Sequence, residues 1–147
     1  MNTRFIELAG EVNTSMPDFV ISKVIDALNN QGKSLNKSNI LILGLSYKKN
    51  IDDLRESPSF EIIDKCHSMG GNVMFCDPFF KKIPKMRKYS FDLESLELNK
   101  KNLNQMDLVL LCTDHDKFDY ELIQRESKII VDTRGRFDRT KPNVVKA

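Results

Sequence analysis

The sequence lacks most of the marks that assign a function on sight. It has only six glycines in 147 residues. No Gly-x-Gly-x-x-Gly occurs among them, so the usual dinucleotide fingerprint is absent. Its three cysteines, Cys66, Cys76 and Cys112, form no close pair, which leaves a zinc ribbon or a redox couple unsupported. Each lies among apolar neighbours, as a small buried residue does, and a reduced, cytoplasmic setting fits that usage. An excess of one charge is missing too. The 23 basic and 21 acidic residues leave a net charge of +2, without a general pull toward nucleic acid or a membrane surface. No apolar run approaches the length of a membrane span, and the first residues lack the charged-then-apolar layout of a signal peptide.

What is present is one domain's worth of ordinary globular composition, 40% hydrophobic and 30% charged. A chain of this size buries a core without staples. Phe5, Leu8, Ala9 and Val12 share a helical face, and Asn13-Thr14-Ser15 is expected to interrupt it. A second helix is expected from Ser15 as cap, with Asp18 three residues on and Pro17 in the first turn. It carries the stripe Val20, Ile21, Val24, Ile25 and Leu28, and Gly32 ends it.

The pattern then changes. The short, mainly apolar segments at 39–45, 73–76, 108–112 and 128–132 read as buried strands. Val144-Val145 reads as a very short fifth strand. Between them, a helix is expected from Ser57 as cap and Pro58 at its first position, with Phe60, Ile63 and Cys66 or His67 along one side and Gly70-Gly71 as its stop. Shorter helices are expected near 100–104 and 118–124, and an edge strand near 90–93. Lys81, Lys82, Lys85, Arg87 and Lys88 read as a solvated edge. Strands alternating with helices imply parallel β-α-β units. The expected fold is α/β: a Rossmann-like three-layer α/β/α parallel sheet with an N-terminal helical segment. Residues 1–35 form that segment and 36–147 the sheet domain.

Ligands of such sheets bind beyond the carboxyl ends of the strands. The loops there are 46–56, 77–80, 113–117 and 133–137. In the first, Tyr47 can stack on a base or sugar and Lys48 offers a point charge to phosphate. Arg55 stands just before a helix start that favours anions. Taken alone, these residue types favour the plainer reading, a charged surface loop in which Asp52 or Asp53 pairs with Arg55. In the fourth, Arg134 and Arg136 flank Gly135, as an anion fork or as a solvated turn. In the third, Asp114-His115-Asp116 has no nucleophile beside it, so His115 reads as a residue that orients loops or caps the helix expected at Phe118, rather than an acid–base catalyst. His67 reads as a surface or boundary residue.

Gly44-Leu45-Ser46-Tyr47-Lys48 followed by Asp52-Asp53-Leu54-Arg55-Glu56-Ser57-Pro58 resembles the start of the C-terminal domain of the UDP-glucose/GDP-mannose dehydrogenase family. Asp77-Pro78, Thr113-Asp114-His115 and Asp132-Thr133-Arg134 match further motifs in order. Residues 4–17 look like the family's central helical region, most like the branch that oxidises UDP-N-acetyl-hexosamines. The resemblance implies oxidation of a UDP-sugar's C6 alcohol to a carboxylate by two hydride transfers to NAD, through thiohemiacetal and thioester on a catalytic cysteine. It implies that Tyr47 and Lys48 contact the nucleotide sugar and that Arg134 binds substrate. Arg55 would reach toward the phosphates of NAD, Asp52 and Asp53 would shape the loop, and Ser57 would cap. It also implies a homodimer formed through the central helix.

Two departures limit this. The Gly-Gly-x-Cys-(Phe/Ile)-Pro nucleophile motif and the NAD fingerprint are both absent. The expectation is therefore the UDP-sugar-binding portion of an NAD-dependent 6-dehydrogenase, inactive alone, working with an N-terminal NAD-binding part. No catalytic residue and no metal site are assigned, and neither nucleic acid nor membrane is an expected partner. A free-standing nucleotide-sugar binding or regulatory module is the alternative. A phospho-receiver domain is a reading from another class, opposed by the distance of Asp52-Asp53 from the first strand and by the lack of a lysine suitably downstream of Asp114.

Overall fold

Alternation inside the apolar runs decides the architecture. Ile40 and Ile42 enter one core while Leu41 and Leu43 enter the other, and Leu108 and Leu110 oppose Val109 and Leu111 in the same way. A strand apolar on both faces needs cover on both. The computed structural model, which describes residues 3–46, 48–50, 54, 57–84 and 91–147 (side chains from Met16 onward), supplies it. Strands β1 (Asn39–Leu43), β2 (Asn72–Cys76), β3 (Leu108–Leu111), β4 (Ile130–Asp132) and β5 (Val144–Lys146) form one sheet. Helices α1 (Thr3–Asn29) and α2 (Ser59–Ser68) cover one face, contributing Val20, Val24, Leu28, Phe60 and Ile63 to its core. Helices α3 (Lys100–Asn104) and α4 (Tyr120–Glu126) cover the other, through Leu103 and Ile123.

Every strand pair is parallel, in the order β2-β1-β3-β4-β5. The chain leaves β1 toward one edge and returns to continue toward the other. The direction of winding thus reverses between β1 and β3, and a crevice opens at their carboxyl ends. The expected α/β class, parallel sheet and N-terminal helix are all present. Two helix ends follow the expected glycine chemistry. At Gly32 (φ 71°) the Lys33 N–H reaches the Leu28 carbonyl and the Gly32 N–H that of Asn29. At Gly70 (φ 87°) the Gly71 N–H reaches the Cys66 carbonyl and the Gly70 N–H that of His67. Both are Schellman closures, which the left-handed glycine makes cheap.

Four local expectations are corrected. The break at Asn13-Thr14-Ser15 does not occur, so Ser15 is no cap, and α1 runs through with Pro17 inside it. A proline costs the helix one internal hydrogen bond. The buried stripe Val20, Ile21, Val24 and Leu28 immediately after it holds the second half on the sheet. Helix α4 starts at Tyr120 rather than at 118, because the Asp119 carboxylate accepts the Leu122 N–H at 3.2 Å and so caps there. Phe118 is left as a buried loop residue. The edge strand near 90–93 is replaced by single bridges, Glu94 to Lys82 and Ser95 to Phe75; Ser90 lies outside the described residues. Helix α2 begins at Ser59, although the Ser57 hydroxyl still accepts the Ser59 N–H at 3.3 Å, much as a cap would. Of the basic segment, Lys85, Arg87 and Lys88 lie outside the described residues, and Lys82 pairs with Glu94 at 3.3 Å on the surface.

Candidate functional site

The crevice begins at Gly44, where β1 ends. Its φ of 90° is in the left-handed region, and a Cβ there would stand 2.5 Å from the Thr113 Cβ and 2.6 Å from the Thr113 carbonyl oxygen. Glycine therefore lets the chain after β1 pass directly against the chain after β3. Three further bonds fasten the spot. The Thr113 hydroxyl donates to the Ser46 carbonyl, the Ser59 hydroxyl donates to the Gly44 carbonyl at 3.1 Å, and the Leu45 N–H donates to Asp77 Oδ2 at 2.7 Å. The empty side of Gly44 is thus filled by Thr113, and no cradle is left there for a dinucleotide pyrophosphate.

Beyond this point lies a cavity of about 390 Å³ lined by Met16, Val20, Lys48, Pro58, Ile62, Cys112, Thr133 and Arg134. That volume lies in the usual small-molecule range of about 300–1,000 Å³. Lys48 and Arg134, assigned to one ligand by the family resemblance, stand on the same cavity. They come from the loops after β1 and β4. The α2 amino-terminus enters the wall at Pro58, so its dipole adds to the two cations. Met16, Val20, Pro58 and Ile62 give an apolar wall on which a flat ring can lie. The arrangement suits an anion joined to a partly apolar group. Arg134 is braced by its Nε–H donating to the Cys112 carbonyl at 2.9 Å. Burial pushes the Cys112 thiol up to about 12, which disfavours the thiolate that a nucleophile needs. The other two thiols are also buried, Cys66 at about 12 and Cys76 at about 11.

Buried carboxylates and one histidine shape the surrounding loops. Asp132 Oδ1 accepts the N–H groups of Arg134 (2.9 Å) and Gly135 (2.8 Å), and its Oδ2 accepts that of Phe137 (2.9 Å). Asp77 accepts the Leu45 and Phe79 N–H groups. His115 is fully buried. Its Nδ1 accepts the Asn50 N–H at 2.8 Å, so the ring proton sits on Nε2, which faces Asp77 Oδ2 at 3.3 Å. Of the two parts that the sequence suggested for His115, this is the loop-orienting one, since Asp119 caps α4, and His67 is exposed, as expected. The two arginines beside Gly135 part company. Arg134 lines the cavity, while Arg136 turns to Asp116 at 2.9 Å and Asp114 at 3.5 Å.

Tyr47, Asp52, Asp53 and Arg55 lie outside the described residues. Sequence reasoning assigned no role to Asn50, and none to the carboxylates of Asp77 and Asp132 beyond their motifs. The available signal was position: each stands in a loop at the carboxyl end of a strand. Among the described residues, no cluster of three metal-ligating side chains occurs, and no helix is long and apolar enough to cross a membrane.

Comparison with known proteins bears on this geometry. Residues 41–139 match the family model described as UDP-glucose/GDP-mannose dehydrogenase family, UDP binding domain. The chain is 35% identical over 138 residues to an NDP-N-acetyl-D-galactosaminuronic acid dehydrogenase from Ralstonia solanacearum, covering 91% of this chain and 30% of that protein. It is 31% identical over 146 residues to a UDP-N-acetyl-D-mannosamine dehydrogenase from Methanocaldococcus jannaschii, covering 94% and 31%. The fold superposes with a TM-score of 0.76 on a UDP-D-ManNAc dehydrogenase from Pyrococcus horikoshii, at 22% identity, covering 99% of this chain and 33% of that one. The chain thus spans about a third or less of the length of each of these three relatives.

Proposed function

We propose, for a chain that belongs to the UDP-glucose/GDP-mannose dehydrogenase family, that it is the UDP-sugar-binding portion of an NAD-dependent nucleotide-sugar 6-dehydrogenase. The observation that carries this reading is the meeting of Lys48 and Arg134 on one cavity with an apolar wall. Two cations and a helix amino-terminus suit a diphosphate, and the wall of Met16, Val20 and Ile62 suits the uracil or sugar ring. Tyr47 adds a stacking surface in the same loop as Lys48. Residues 1–35 serve as the helical segment and 36–147 as the nucleotide-sugar domain, with the second half of α1 packed on the sheet. A homodimer through α1 belongs to the same reading.

NAD accepts the hydride in the proposed whole enzyme. The described residues do not build a dinucleotide site, since Gly44 is closed by Thr113 and no glycine-rich turn replaces it. Arg55 is left as the contact to the NAD phosphates, and the rest of that site lies with other parts of the enzyme. In this reading the nucleophile does too, because the family's Gly-Gly-x-Cys motif does not occur among these residues and all three thiols are buried. What this chain contributes to oxidation is the hold on the diphosphate, which keeps the sugar in place while chemistry proceeds elsewhere. The relatives named for N-acetyl-hexosamine substrates favour a UDP-N-acetyl-hexosamine as ligand.

Calorimetry with UDP, UDP-N-acetylglucosamine and NAD tests the reading. UDP binds weakly, and Lys48→Ala or Arg134→Ala each weakens it. No heat and no thermal shift with millimolar UDP would end this reading. The alternative of a free-standing binding module shares the same residues. It gains ground only if binding persists and adding an NAD-binding partner protein restores no NADH production.

A further inference from the structure

The two cations of the cavity belong to different loops, and something must fix the distance between them. Lys48 lies two residues before Asn50, and Arg134 two residues before Arg136. Asn50 has φ 63°, a left-handed turn that few side chains other than glycine enter and that asparagine tolerates. It makes three bonds to the loop after β3. Its N–H donates to His115 Nδ1 at 2.8 Å, its Nδ2 donates to Asp116 Oδ2 at 2.7 Å, and its Oδ1 accepts the Asp116 N–H at 2.8 Å. The other oxygen of Asp116 accepts from Arg136 at 2.9 Å. The Arg136 guanidinium lies 4.5 Å from the centre of the Tyr120 ring, and the Tyr120 hydroxyl donates to the His115 carbonyl at 2.6 Å. Loop, loop and loop are joined in a closed circuit just outside the cavity.

We propose that Asn50, Asp116 and Arg136 form a clamp that sets Lys48 and Arg134 at the separation a diphosphate requires, so that they are positioning residues for nucleotide binding. The proposal rests on the UDP-binding reading above. Its logic is preorganisation. Two loops that are already joined lose less freedom when an anion bridges them. Asp116 also decides between positioning and simple electrostatics. A carboxylate beside an anion site repels the ligand through space. Deleting it should strengthen UDP binding if charge alone mattered, and freeing Arg136 would add to that gain. A clamp demands the opposite sign.

The test uses the full chain with Asn50→Ala, Asp116→Ala, Arg136→Ala and the Asp116→Ala/Arg136→Ala double variant. Each is read by UDP calorimetry and by hydrogen–deuterium exchange. The clamp predicts that each single variant weakens UDP about tenfold, and that the double variant loses little more than either single, as coupled neighbours do. It also predicts faster exchange in 48–50 and 134–137 with β1 and β3 still protected, whereas a general loss of stability would loosen the strands as well. UDP binding by Asp116→Ala that is unchanged or tighter overturns the proposal. So does unaltered exchange at 48–50 in that variant, even if UDP binding changes. If the unaltered chain fails to bind UDP, the nucleotide reading falls, and the exchange pattern alone still decides whether the clamp exists.

Discussion

Gly44→Ala probes the point at which β1 and β3 are held together. The new methyl would meet the Thr113 Cβ at 2.5 Å, its carbonyl oxygen at 2.6 Å and its Cα at 2.9 Å. Two of those atoms are backbone, so no rotamer change relieves the contact. A left-handed residue with a Cβ costs about 1–2 kcal/mol, and overpacking a site that must move backbone costs about 1–3 kcal/mol. The sum is ~2–5 kcal/mol, a large share of the ~5–15 kcal/mol that holds a typical domain together. Gly32→Ala is the internal control. Its φ is 71°, and an added Cβ meets nothing within 4 Å, so it carries the conformational cost alone. At about 2–4 °C per kcal/mol for a chain of this size, Gly44→Ala should lower Tm by about 4–20 °C, and Gly32→Ala by about 2–8 °C. Thermal and urea unfolding, followed by circular dichroism, measure both. Equal losses in the two variants would refute the close approach of the loops, and with it the account of why glycine ends β1.

Other expectations concern single side chains. His115→Phe keeps an aromatic ring, though a larger one, and removes the acceptor for the Asn50 N–H and the Nε2–H that faces Asp77. Urea unfolding should show a loss of about 1–3 kcal/mol, and a loss below experimental error would deny the buried contacts. Burial raises the Asp107 carboxyl, but the Lys33 ammonium at 2.6 Å and the Asn39 N–H outweigh it and leave the group below its ordinary 3.8. A depressed folded value means stability that is present above the unfolded value and lost as pH falls through the folded one. Asp107→Asn should therefore be less stable than the unaltered chain at pH 7, and the gap should close below about pH 3.8; a gap constant with pH would contradict the pairing. The thiols of Cys66, Cys76 and Cys112 should resist a disulfide reagent at pH 8 in the folded chain and react in denaturant, since burial holds them at about 11–12. The Ser127 hydroxyl is buried without a hydrogen-bond partner among the described residues, so Ser127→Ala should be neutral or stabilising by up to ~1 kcal/mol in the same unfolding assay.

Where local chemistry decides, the sequence was legible. Apolar runs became strands at Asn39–Leu43, Asn72–Cys76 and Leu108–Leu111, because a two-faced strand has no polar alternative at those positions. Gly32 and Gly70 ended helices, because a left-handed closure needs a glycine. Where two local signals competed, the reading failed. Asn13-Thr14-Ser15 and Pro17 are helix-breaking residues, yet α1 passes through them, since the buried stripe that follows outweighs one missing hydrogen bond. Asp119 and Phe118 posed the same conflict at α4. A cap prevailed over an apolar residue because Phe118 could be buried from the loop.

The site divides along the same line. Position at a strand's carboxyl end made Lys48 and Arg134 candidates, a property of the chain near them, and the family resemblance of their motifs is what assigned both to one ligand. That they line one cavity depends on β1, β3 and β4 being successive neighbours in the sheet, and strand order is written in no single segment. The parts of Asn50 and Arg136 depend on it even more. Asn50 read alone is a polar loop residue between Lys49 and Ile51. Only when the β1 loop is laid beside the β3 loop do its three bonds to His115 and Asp116 exist. Arg136 shows the converse. Its sequence setting beside Gly135 and Arg134 suggested a second anion ligand, and only the neighbouring loop, with Asp114 and Asp116, removes it from the cavity. The residues proposed to touch a ligand can thus be picked out from their own segments, whereas those proposed to hold them apart must be read from the sheet order that joins the segments.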